Sequence, residues 1–219
     1  MGRTTAAVRK SQAERRDEAQ RRLVEATLAV IAADGVSAAT FEAVGQRAGY
    51  SRGLATQHFG SKQGLIEAVI DYLHERQDAA LEAAHVDEMD GLEALLAYVG
   101  GFIEALRRDA DYAPYFMLLA GAVADAGETR TLFARSHAKV KTRLARLIKR
   151  GQTERRIRAD IDPESAAVMV GSMLLGLSMQ MLVDPGTRPG AVGKAMQAQL
   201  RRSFAAPTGK PAGRRVCDG

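Results

Sequence analysis

At 219 residues and 46% hydrophobic content, the chain can bury the core of one or two domains. Its 31 basic and 26 acidic side chains leave a net charge of +5, which favours a polyanionic partner only mildly. No apolar N-terminal stretch directs secretion, and the single cysteine, Cys217, cannot form an intrachain disulfide, so a secreted disulfide scaffold is excluded and a reducing cytoplasm is expected.

Strand signals are nearly absent, and the class expected is all-α. Residues 1–22 carry seven basic side chains against three acidic ones. They read either as a solvated, partly disordered terminus or as an arm that adds phosphate or minor-groove contacts beside a DNA-binding unit. A first helix is expected from about Ala13 to Ala33, with Val24, Thr27, Leu28 and Ile31 as its inward stripe and Asp34-Gly35 as its end.

The stretch from Thr40 to Leu65 predicts two short helices hinged by a tight turn, then the start of a third. Phe41, Val44 and Ala48 share one helical face. Gly49 suits the left-handed end of that helix, and Ser51 can cap the next. The second helix, Arg52 to Phe59, turns Ala55 and Phe59 inward and leaves Arg52, Gly53, Leu54, Thr56, Gln57 and His58 on its other sides. Two such helices are also found in ordinary helical hairpins, but the pattern fits a helix-turn-helix whose second helix lies in a DNA major groove. His58-Phe59-Gly60-Ser61-Lys62 then places a core aromatic, a glycine stop, a serine cap and a lysine in one short connection.

With Thr40, Ala48-Gly49-Tyr50-Ser51, His58-Phe59, Ser61-Lys62 and Leu65 in these places, the segment resembles the tetracycline-repressor (TetR) family of bacterial transcription regulators. The resemblance implies an N-terminal three-helix DNA-binding head over residues 13–72 and a helical ligand-binding and dimerisation domain over 73–206, while the Pro- and Gly-rich composition at the end reads as a disordered tail over 207–219. It also implies a homodimer on a palindromic double-stranded operator, and a repressor released by a small-molecule effector. By correspondence with the family's motif, Arg52 and Gln57 read bases, as Arg pairs with guanine edges and Gln with adenine. Thr40, Thr56, His58 and Lys62 hold phosphates, helped by the helix N-termini that Thr40 and Ser61 cap. The chain departs from the common pattern at Leu54, Ala55 and Thr56, where Thr, Leu and Tyr are frequent, which weakens the phosphate role of Thr56.

Helix four starts at Ser61 and carries Leu65, Val69, Leu73 and Leu81; residues 87–91 form a joint. From Leu92 to Leu106 the chain shows a broad apolar face, followed by the aromatic run Tyr112-Ala113-Pro114-Tyr115-Phe116-Met117. A helix from about Glu128 to Gly151 is rich in Lys and Arg, but Leu144, Leu147 and Ile148 interleave at helical spacing, so its charges read as a solvated face. Asp162 caps a helix with Pro163 in its first turn, and an Ile-Arg-x-Asp-x-Asp-Pro phrase here is shared by many TetR-like sequences.

Residues 166–183 contain no charge at all and brush the length of a membrane span. Gly171, Ser172, Gly176, Ser178 and Gln180 dilute the stretch and no basic flank accompanies it, so a buried or partner-facing helix is expected and no membrane role. Ser172, Gly176, Leu177 and Gln180 are the candidate dimer residues, in an interface with a last helix ending at Phe204. Candidates to line an effector pocket are Phe102, Leu106, Tyr112, Tyr115, Phe116, Met117, Phe133, Met169 and Met173; these same residues can equally form the core. The four histidines lack metal-ligand spacing, and there is no phosphate-binding glycine loop or nucleophile motif. No metal, cofactor or catalytic activity is expected. A helical interaction module, or an enzyme without a recognisable motif, is the alternative.

Overall fold

The structure is a computed structural model and describes residues 11–125 and 127–207. The first ten residues of the expected arm, and the tail beyond Pro207 with Cys217, lie outside the described residues. Among the described residues there are nine α-helices and no strand, apart from an isolated antiparallel bridge between Ile157 and Ala205.

The helices form two compact units. Among the described residues, the first comprises 11–78, 108–125 and 127–136 and the second 79–107 and 137–207. In the first, α1 (Gln12–Asp34) takes in the last eleven residues of the expected arm, because Ser11 and Glu14 close a capping box: the Ser11 hydroxyl accepts from the Glu14 N–H and the Glu14 carboxylate from the Ser11 N–H. The expected inward stripe of Val24, Thr27, Leu28 and Ile31 is buried. Three further helices follow: α2 (Phe41–Ala48), α3 (Arg52–Phe59) and α4 (Lys62–Ala83). Leu23 and Ala26 of α1 meet Val44 of α2, Ala55 of α3 and Leu65 of α4 in one core, sealed by Phe41, Ala48, Tyr50 and Phe59. This is a conventional three-helix head with α4 as its exit.

Also in the first unit is α6 (Tyr112–Asp125), which packs on α1 and the 3-10 turn at Val36–Ala38. The first nine residues of α7 (Glu128–Thr153) belong there too. Long-range polar contacts tie these pieces to α4. Gln63 donates to Glu128, Arg135 pairs with Glu67 at 3.2 Å, and Arg76 pairs with both Asp109 and Asp111 while lying over the Tyr72 ring. The Tyr72 hydroxyl in turn donates to Glu25 of α1.

The second unit holds α5 (Gly91–Arg108), the remainder of α7, α8 (Pro163–Val183) and α9 (Pro189–Phe204). Leu144, Leu147 and Ile148 of α7 are buried, as the spacing of its basic residues predicts. Asp162 caps α8 by accepting from the Ser165 N–H, with Pro163 in the first turn. The joint at residues 87–91 is a cap: Asp90 accepts from the Leu92 and Glu93 N–H groups, both at 3.0 Å, and from Arg156 Nε at 2.8 Å.

Beside that cap, Glu93 accepts from both terminal nitrogens of Arg201, joining α5 to α9. The Arg201 bonds hold the Glu93 carboxyl below its ordinary value, against a smaller opposing effect of burial. Burial pushes Asp90 up, but its backbone N–H bonds and Arg156 outweigh that and hold it low as well. A depressed carboxyl contributes stability that is present above its unfolded pKa and lost as pH falls through the folded one. Acidification from about pH 5 to pH 3 is therefore expected to loosen this unit. Both partners of the Glu93–Arg201 pair are about half exposed, so its share is only about 0–1 kcal/mol. Urea unfolding at pH 7 and pH 4 should show a smaller acid-induced loss in Glu93→Gln than in the wild type.

Candidate nucleic-acid interface

The N-termini of α2, α3 and α4 lie around one groove, and each start is fixed by a side chain expected to do so. The Thr40 hydroxyl accepts from the Ala43 N–H, Ser51 from the Leu54 N–H and Ser61 from the Gly64 N–H. Gly49 ends α2 at φ 77°, the left-handed conformation that the turn requires. Because Ala55 is fully buried, the rest of α3 is set outward: Arg52, Gly53, Thr56 and Gln57 are exposed, and Leu54 and His58 half-buried. A groove of about 430 Å³ opens between the three helix starts, lined by Thr40, Glu42, Arg52 and Lys62 over Ala39, Phe41 and Leu65. Two cations and the positive ends of helix dipoles on one groove suit an anion. Among the described residues Glu42 is the one carboxylate in its walls.

Two candidate residues differ in chemistry from the sequence expectation. The Thr56 hydroxyl donates to the Arg52 carbonyl at 3.0 Å, so towards a ligand it acts as an acceptor, and a phosphate contact by donation requires breaking that bond. Desolvation, and then the nearby positive charge of Arg16, depress the His58 pKa, so the ring is neutral at pH 7 and offers an N–H rather than a full charge. Arg16 itself, on the first turns of α1, was legible only as one of many arm charges.

The other expected sites are divided by the fold. Tyr112, Tyr115, Phe116, Met117 and Phe133 fall in the first unit, and Phe102, Leu106, Met169 and Met173 in the second. Tyr115 packs edge-on against Phe116 and Phe133, at 5.0 and 5.4 Å between centroids. Met169 is 44% exposed and shares a helical stripe with Ser172, Gly176 and Gln180, also exposed, which sets it on a surface instead of in an interior pocket. Leu177 departs from the dimer set: it turns inward with Val170, Leu174 and Ser178, since residues three, four and seven apart share a face.

The family described as bacterial regulatory proteins, tetR family, matches residues 23–69, and the one described as BetI-type transcriptional repressor, C-terminal, matches residues 93–206, more than half of the chain. The chain belongs to the TetR family of transcriptional regulators. Among curated TetR relatives, the HTH-type transcriptional regulator BetI of Escherichia coli is 37% identical over 84 residues, and that of Klebsiella pneumoniae 36%. Each match takes in 37% of this chain and 43% of the relative, so the chain matches less than half the length of these relatives. SmeT, the repressor of the Stenotrophomonas maltophilia multidrug efflux pump SmeDEF, superimposes with a TM-score of 0.71 at 21% identity, covering 86% of this chain and 91% of SmeT. A SmeT–triclosan complex gives 0.74 at 22% identity, covering 87% and 93%. The fatty acid degradation regulator FadR of Bacillus halodurans gives 0.74 at 18%, covering 88% and 96%. At these identities the superpositions establish the fold alone.

Proposed function

We propose that the protein is a homodimeric cytoplasmic repressor that reads a two-fold operator with α3 and leaves it when a small, largely apolar effector binds. The observation that carries the DNA half is the groove in which three capped helix starts converge with Arg52 and Lys62, beside a recognition helix whose outer face holds no large apolar side chain except the half-buried Leu54. The effector half is supported by the match to BetI-type repressors and by the likeness to SmeT, which is known in complex with triclosan. The homodimer is supported by α8, whose uncharged outer face exposes Val168, Met169 and Val183.

Base readout and phosphate contact predict different losses. Arg52→Ala removes a donor fork suited to a guanine edge and is expected to relax base preference by about 1–3 kcal/mol. Lys62→Ala removes a phosphate cation; it should weaken all sequences alike and reduce the slope of log affinity against log salt by about 1. Operator selection from random DNA followed by salt-titrated anisotropy on wild type and both variants distinguishes them. Equal loss of specificity from the two substitutions would sink the assignment.

A further inference from the structure

Four polar side chains are buried among the described residues: Thr27, Gln77, Ser136 and Ser178. Three of them have their partners. Thr27 donates to the Leu23 carbonyl, Ser178 to the Leu174 carbonyl, and Ser136 bonds His74 Nε2 at 2.6 Å. Gln77 is different. It is only 9% exposed, its Oε1 accepts from the Tyr112 hydroxyl at 3.3 Å, and its Nε2 has no hydrogen-bond partner. The second orphan nitrogen, Arg150 Nε, is unlike it, because that guanidinium is held through Nη2 by the Val86 and Met89 carbonyls and lies 3.9 Å from Glu154.

A buried amide nitrogen with nothing to donate to opposes folding, and leucine at this position of α4 would not. The Gln77 partner Tyr112 belongs to a group of aromatic side chains within the first unit. Tyr112, Tyr115 and Phe116 of α6 and Phe133 of α7 are buried aromatics, and Tyr115 is anchored by its bond to Ser136. The nearby charges are already matched, since Arg76 pairs with Asp109 and Asp111. A charged ligand would have to compete with these pairs for its counter-ion.

We infer that Gln77 Nε2 is the polar recognition point of the effector site, donating to a neutral oxygen acceptor (a carbonyl or ether) on a ligand whose apolar body lies against the aromatic side chains of α6 and α7. Tyr112 holds the amide in the orientation that presents the N–H. The inference rests on the effector reading above and narrows it from an apolar ligand to one with an uncharged acceptor. Met117 and the second-unit candidates are not required.

The test uses two probes of nearly equal size on the full-length protein: acetophenone, which has the carbonyl, and ethylbenzene, which does not. Ligand-observed NMR titration should show wild type preferring acetophenone by about tenfold, and Gln77→Leu losing or reversing that preference. Thermal unfolding of Gln77→Leu should hold or rise, and Gln77→Met serves as the second variant if leucine does not fold. Acetophenone binding that is unchanged in both variants, or no binding of either probe to wild type, overturns the inference. Operator anisotropy in the same samples separates the two levels. Gln77-dependent binding without operator release refutes acetophenone as an effector-like ligand and the release reading with it, while the site stands. Release that survives Gln77→Leu keeps that reading and removes the site.

Discussion

Gly64→Ala is expected to cost the head about 2–4 kcal/mol and to weaken operator binding more than a hundredfold. A Cβ built on Gly64 would stand 2.1 Å from the Phe59 carbonyl oxygen, and because that atom is backbone no side chain can swing aside. Phe59 ends α3 and packs on the head core, while the Ser61 N–H donates to the same Phe59 carbonyl at 2.7 Å and the Ser61 hydroxyl caps Gly64. An added methyl group must therefore push the start of α4 away from the end of α3, which Ala55 and Phe59 seat on the head core. Gly53→Ala is the control. Its Cβ would meet only the Ser51 hydroxyl at 3.7 Å, so it should fold as well as wild type or up to about 1 kcal/mol better. Denaturation midpoints on the two variants, and operator anisotropy on Gly64→Ala, read the effect. Equal stability and affinity in Gly64→Ala and wild type would refute the steric argument.

The head was legible because its determinants are local. Thr40, Gly49, Ser51 and Ser61 each act within three or four residues, and the Phe41–Val44–Ala48 spacing fixes the buried face with no knowledge of what covers it. Gly64 was readable as a residue but not as a constraint, since its reason is the proximity of the Phe59 carbonyl in three dimensions. The Ser11–Glu14 capping box is a sequence signal that the charge of the N-terminal stretch obscured. Downstream, periodicity identifies an apolar face but not its partner. Tyr112, Tyr115 and Phe116 look like neighbours of Phe102 and Leu106 along the chain, yet α6 packs on α1. For the same reason Gln77 was invisible: it stands among exposed neighbours on α4, and only the long-range contact with Tyr112 shows that it is buried. On α8 the apolar residues run almost without a break, so the sequence could not divide the helix into inner and outer faces. Burial of Leu174, Leu177 and Ser178 does.

Gly176→Arg is expected to convert a dimer to monomers and to weaken operator binding by roughly 10²–10⁴, because the second half-site is then bound without the gain of an effective concentration. The outer face of α8 explains why. Only 33% of the apolar window in Pro163–Val183 is buried, with Val168 at 53%, Met169 at 44% and Val183 at 82% exposure. Ser172 and Gly176 are the small residues on that face, and nothing lies within 4 Å of a Cβ at Gly176, so another helix can approach closely there. In the monomer an arginine at this position projects into open space, keeps its hydration and even favours the helix over glycine. In the dimer the same guanidinium must be desolvated without a carboxylate, since residues 166–183 carry none. The substitution therefore leaves the folded monomer intact and acts on association alone, and Gly176→Ala should remain dimeric. Sedimentation velocity at micromolar concentration, with thermal unfolding as the folding control, reads both. A wild type that sediments as a monomer refutes the dimer, and if that monomer also partitions into lipid vesicles, α8 is a membrane-seeking helix, as its length and hydropathy permit.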